Sequence, residues 1–213
     1  KRTGIKKLAI YQDSAEQLEK NRYSFSDGYK ENVQDVKRLF DSIHAGDKLD
    51  FSQVKEVAKK TREIDTNLDI VTMLSTIRDV DEYTYTHSIN VGLLAMMFGR
   101  WAGLNTINIR QLLYAGLLHD IGKAKIPNEI LNKKGRLNES EFEIIKKHTL
   151  YGYEILKECN FVAEKISRAV LMHHERNNGE GYPFGHKKEK IPFMARVLAI
   201  VDTYDAMTSD RVY

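Results

Sequence analysis

The sequence predicts an all-α protein. Three observations carry that prediction: three prolines in 213 residues, apolar residues recurring at three- and four-residue spacing, and almost no alternation of apolar with polar residues. Val33, Val36, Leu39, Phe40 and Ile43 form one helical stripe; Phe51, Val54, Val57 and Ala58 form another. Gly46-Asp47 separates them as a turn, and Asp50 or Ser52 is placed to cap the second helix. No cluster of chemically reactive residues falls here. Residues 1–70 are therefore expected to be an N-terminal helical extension that packs against, or couples signals to, residues 71–213.

The second unit is denser in apolar residues. A helix is expected from near Thr84 to Trp101, ending before Gly103, and the next from about Asn105 to Ile121, ending at Gly122. Asn138 with Glu141 reads as a capping box opening a helix through Leu156. Another helix covers about Val162 to His174. Asn177 to Gly185 holds three glycines and a proline, so it reads as a loop. Pro192 suits the first turn of a last helix running to about Met207. Met96, Met97 and Trp101 read as packing residues.

Composition bounds the function. With 42% hydrophobic and 30% charged residues, the chain has the balance of a soluble globular protein. A net charge of +3 is too small to imply a nucleic-acid groove and is compatible with an anionic small molecule. Cys159 is the only cysteine, which excludes an internal disulfide and a thiolate-rich zinc site and favours a reducing, cytoplasmic setting. The most apolar stretch, Ile89 to Trp101, contains Asn90 and Arg100 and is too short to span a bilayer. The chain opens on Lys1 and is expected to be the cytoplasmic piece of a longer or membrane-anchored sensor protein.

Seven histidines stand at 44, 87, 119, 148, 173, 174 and 186. His119-Asp120 follows the run Leu112, Leu113, Leu117, Leu118, so a helix packing that face would bury both polar groups. The same problem recurs at His87, His148, His173-His174 and at Asp202 after Val197, Leu198, Ile200 and Val201. One such case is usually a satisfied core histidine, but five clusters on five expected helices point to shared cations. Imidazole and carboxylate without thiolate suit iron, manganese, zinc or nickel. Five histidines and two aspartates exceed the needs of one ion and would serve two ions bridged by a carboxylate. Such a pair generates hydroxide near neutral pH for in-line attack on phosphorus. Lys123, four residues after His119, would face the same side and set an ammonium beside the phosphate, or else simply solvate a helix end.

These residues fall into an ordered set: His119-Asp120-Ile121-Gly122-Lys123 with Ile126-Pro127, His173-His174-Glu175, Gly181-Tyr182-Pro183 and Asp202-Thr203-Tyr204-Asp205-Ala206. Tyr83 to Ser88 and the His148 helix, with Gly152 one turn on, join it, and together they resemble the HD-GYP family over roughly residues 75 to 213. The resemblance implies a helical bundle of the HD-domain type with a metal centre, often iron or manganese, that hydrolyses cyclic di-GMP to pGpG or GMP. It implies that His87, His119, Asp120 and Asp202 hold one ion and that Asp120 bridges to a second on His148, His173 and His174. Lys123 and Arg211 would bind substrate phosphate, and the Gly181-Tyr182-Pro183 loop would border the site. Tyr83 stands where members with a third metal carry a glutamate, which favours two ions. Asn178 replaces a common aspartate, and the basic segment expected beyond Arg211 is missing.

Several neighbours keep two readings. Glu175 either orients a ligating histidine or sits in a salt bridge; Tyr182 either stacks on guanine or fills the loop. Tyr204 and Asp205 are expected to hold their helix and cap its neighbours rather than ligate metal. His44 and His186 read as surface residues. The expected partner is cyclic di-GMP, with no nucleic-acid polymer and no membrane contact in this segment, and the N-terminal helices are a candidate surface for a homodimer. The alternatives are a silent nucleotide sensor or docking module, and a hydrolase of another cyclic dinucleotide.

Overall fold

The computed structural model describes residues 15–65 and 83–209, with side chains over 28–63 and 84–209. Helix α1 (Ala15–His44) turns at Gly46, where φ is +96°, into α2 (Phe51–Asp65). Asp50 caps α2 by accepting the Ser52 N–H at 2.9 Å. Both stripes read from the sequence are buried, Val33, Val36 and Val54 to 1% exposure. Between the helices, Asn32 donates to Thr61 Oγ1 at 2.7 Å, and Lys60 pairs with Glu31 and Asp35.

Helices α3 (Tyr83–Trp101) and α4 (Thr106–Leu118) form the most extensive pair. They cross at two glycines. A Cβ on Gly116 would lie 2.6 Å from the Gly92 Cα, so only hydrogen fits there. That close crossing carries His87 and His119 toward each other. The helix expected to reach Ile121 stops at Leu118, leaving His119 and Asp120 in a turn before a 3-10 helix, Ile121–Lys125. The tightening seats Gly122 on the start of a later helix, where a Cβ would lie 1.9 Å from the His148 carbonyl oxygen.

Short α5 (Asn128–Leu131) precedes α6 (Glu139–Lys146) and α7 (His148–Glu158). The reciprocal Asn138–Glu141 capping box is present. The single helix expected from Asn138 to Leu156 is thus two, broken at Lys147. Their environments differ: α6 buries no residue fully, whereas α7 opens on buried His148 and Thr149, and the break re-aims the chain inward. Helix α8 (Glu164–Met172) is shorter than expected at both ends, and α9 (Phe193–Thr208) starts just after Pro192 rather than including it.

One apolar core runs from Tyr29 on α1 to Val201 on α9 and joins both segments of the chain. Among the described residues there is no strand, only an isolated bridge between Asn178 and Lys187. The architecture is all-α. Trp101 corrects its packing assignment: it is 84% exposed at the end of α3, touching Phe98 on one side. Met96 is buried and Met97 half-buried, as expected.

Candidate metal centre

Five places in the fold meet at one point. Helix α3 supplies His87, the turn after α4 supplies His119 and Asp120, and the first residue of α7 is His148. His173 and His174 follow the last turn of α8, and Asp202 projects from α9. His87 Nε2 lies 3.0 Å from Asp202 Oδ1 and 3.2 Å from His119 Nε2, which is itself 3.3 Å from Asp120 Oδ2. Across the carboxylate, His148 Nε2 is 3.4 Å from Asp120 Oδ1 and 3.4 Å from His173 Nε2. His174 stacks on His173 with ring centres 4.1 Å apart, and its Nδ1 is 4.0 Å from Asp202 Oδ2. Ligand atoms of His148, His173 and His174 lie within 4.8 Å of one another, as do those of His87, His119 and Asp120. A third such set, His119, His173 and Asp202, crosses between the two groups.

Proton positions follow from the outer partners. Nδ1 of His119, His148 and His173 lies 2.7, 2.7 and 2.6 Å from the carbonyl oxygen three residues earlier. A carbonyl only accepts, so each Nδ1 carries the hydrogen and each Nε2 turns a lone pair inward. His87 Nδ1 donates instead to a carboxylate, Asp205 Oδ2 at 2.7 Å, which leaves Nε2 as the nitrogen facing Asp202 and His119. Asp120 is 2% exposed, and its Oδ1 meets no hydrogen-bond donor. Lone pairs facing a buried carboxylate oxygen repel unless a cation lies among them. The donor set fits divalent cations.

Electrostatics divides the centre. Burial drives the His148 imidazole down to about 4 and that of His174 to about 3, and it holds His173 well below the usual range. Burial also opposes charge on His87, but hydrogen bonds to Asp202 and Asp205 prevail and push it up to about 9. Asp120 resists its own desolvation because Lys123 and His119 stand beside it, and its carboxyl is held well below the ordinary value.

Lys123 is drawn to the same point. Its Nζ contacts Asp120 Oδ2 at 2.6 Å from the 3-10 helix, not from the continued α4 turn that the spacing suggested. Tyr182 packs against His174 at a tilt, ring centres 4.7 Å and planes 31° apart. Arg211 lies outside the described residues. Glu175 follows neither of its two readings: buried to 4%, it accepts the N–H groups of Phe184 and His186, each at 2.8 Å, and so clamps the Gly181-Tyr182-Pro183 loop. Asp205 is more than a helix cap, since it orients His87. Reading it required knowing that α9 packs on α3; its burial signal was only an acid one turn past Asp202. Tyr204 is 44% exposed. His44 is exposed as expected, with Nδ1 2.9 Å from the Ala124 carbonyl; His186 is half-buried beside Phe184.

Comparison with known proteins identifies the family. The profile of the HD domain matches residues 70–213. A cyclic di-GMP phosphodiesterase of Pseudomonas aeruginosa is 40% identical over 176 residues, covering 83% of this chain and 41% of that protein. A cyclic di-GMP phosphodiesterase of Thermotoga maritima is 40% identical over 147 residues, 68% of this chain and 39% of that protein. A 3'3'-cGAMP-specific phosphodiesterase of Vibrio cholerae is 35% identical, over 68% of this chain and 34% of that protein. The chain thus spans well under half the length of these relatives. In structure, an HDG"Y"P protein of Bdellovibrio bacteriovorus superimposes with a TM-score of 0.68 at 17% identity, over 90% of this chain and 67% of that one. The chain belongs to the HD-domain family, with the motif set of its HD-GYP members.

Proposed function

We propose that this chain hydrolyses cyclic di-GMP, as a phosphodiesterase whose residues 71–213 hold two divalent ions, iron or manganese. The supporting observation is the position of Asp120: one oxygen faces His148, the other faces His119 and Lys123. In this reading His87, His119, Asp120 and Asp202 hold one ion, and His148, His173, His174 and Asp120 the other. When bound, the ions supply Lewis acidity toward the phosphoryl group and make water a nucleophile near neutral pH.

The protein's own groups do the rest. Backbone carbonyls and Asp205 keep the imidazoles in the ligating tautomer. Lys123, 26% exposed, can turn from Asp120 toward a phosphate oxygen and stabilise charge as it develops. The loop clamped by Glu175 sets Tyr182 at the edge of the site, and Lys146 lies 5.8 Å above its ring. Arg211 would add a second phosphate contact.

Relatives named for cyclic di-GMP favour that substrate, and the Vibrio relative keeps 3'3'-cGAMP as the second reading. The test is turnover by purified protein loaded anaerobically with iron(II) or manganese(II). Linear pGpG or GMP should form from cyclic di-GMP, with a higher kcat/KM than from 3'3'-cGAMP. Tight nucleotide binding at full metal occupancy without hydrolysis would turn the assignment toward a sensor.

A further inference from the structure

A buried hydrogen-bond chain runs from the N-terminal helix to His87. Tyr29 on α1 donates its phenol hydrogen to Asn90 Oδ1 at 2.6 Å, and Asn90 Nδ2 donates to Asp205 Oδ1 at 2.9 Å. The other oxygen of Asp205 accepts from His87 Nδ1 at 2.7 Å. Exposure is 1% for Tyr29, 3% for Asn90, 4% for Asp205 and 5% for His87, so water does not substitute freely for any link.

Chemistry fixes the polarity of every bond. An ionised carboxylate only accepts, so Asn90 must turn its nitrogen to Asp205. Its carbonyl oxygen is then left to α1, where a donor is required, and the Tyr29 phenol supplies one. Burial, then the Asp205 charge, push the phenol's acidity far from neutral pH, which keeps that hydrogen in place. Asp205 in turn fixes His87 Nδ1 as a donor and leaves Nε2 facing the site.

We propose that Tyr29 is a positioning residue for the metal centre: through Asn90 and Asp205 it holds His87 with Nε2 aimed at the ion. This rests on the reading of His87 as a ligand given above. Tyr29 lies outside the residues 70–213 that match the HD domain, so a helix preceding the domain orients one of its ligands. A displacement of α1 that parts Tyr29 from Asn90 would break the chain at its first bond.

Cobalt(II) titration of the metal-free full chain, followed by absorption and paired with melting temperature, tests this. Wild type should bind two equivalents. Tyr29→Phe should keep both but bind one roughly tenfold more weakly, with a changed band, at the low end of the effect of outer partners. Asn90→Ala, which cuts the middle of the chain, should give the same loss. Asn32→Ala breaks the Asn32–Thr61 bond in the same layer without touching the chain; it should lower the melting temperature and leave both affinities alone. Unchanged affinities in Tyr29→Phe, or an equal loss in Asn32→Ala, overturn the proposal. In that case His87→Ala losing one equivalent leaves the metal reading standing. His87→Ala retaining both equivalents overturns that reading and this inference with it.

Discussion

The two ends of the candidate centre solve the same problem with opposite chemistry. At the His148, His173 and His174 end, burial first and then the neighbouring imidazoles and Lys123 keep the rings neutral, and backbone carbonyls orient two of them. At the His87 end two carboxylates crowd one ring, so His87 is pushed up to about 9 and holds a proton until a cation displaces it. In the proposed reading one end is preset for a cation and the other exchanges a proton for it. Asp120 belongs to both.

Removing that shared group should have the largest effect. Asp120→Ala should empty both ends and abolish turnover, read by elemental analysis and nucleotide assay. Loss of one ion with the other kept at full affinity would confine Asp120 to a single end. Lys123→Ala comes next: both ions stay, and turnover falls by roughly 10²-fold, the scale of one lost transition-state donor. Metal loss in that variant would make its Asp120 contact structural.

The pH dependence should then separate the ends. A cation at the His87 end must expel a proton below about pH 9, so affinity there should climb about tenfold per pH unit and level off above that value. At the other end His148 and His174 are already unprotonated above about pH 4, so affinity should stay flat through neutrality. Proton release on metal binding reads this directly. The same shifts govern the metal-free fold. Unfolding returns these two rings to ordinary values near 6.5, where the unfolded chain takes up protons the folded one refuses. The contribution of these two rings should therefore be whole above pH 6.5 and decline as pH falls toward 4, whereas that of His87 is whole below pH 6.5 and is lost as pH rises through about 9, both read by thermal melts. Equal pH slopes for the two metal affinities would erase the contrast.

The smallest effect belongs to neither end. Glu175→Gln should weaken the loop clamp, raise KM a few-fold and spare both ions, because it removes charge from two N–H contacts worth about 1.5–3 kcal/mol each. Metal loss there would tie Glu175 to the His174 ligand instead.

Much of this was legible in the residues. Apolar stripes fixed which faces pack, and polar residues stranded beside them marked His87, His119, Asp120, His148, His173, His174 and Asp202, all of which the fold brings together. What the pattern hid depends on contacts between distant segments. The breaks at His119 and Lys147 arise because Gly122 docks on His148, a contact that periodicity cannot express. Glu175 and Asp205 looked like ordinary acids until the Gly181 loop and α3 packed against them. Trp101 misled because its hydrophobicity outweighed its place at the helix end, which the sequence had also displayed.

Anomalous scattering from crystals of manganese-loaded protein tests the central claim most directly. Two peaks on either side of the Asp120 carboxylate, one against His87, His119 and Asp202 and one against His148, His173 and His174, are the predicted result. Peaks away from these side chains, or bound metal that leaves Asp120 untouched, would contradict it.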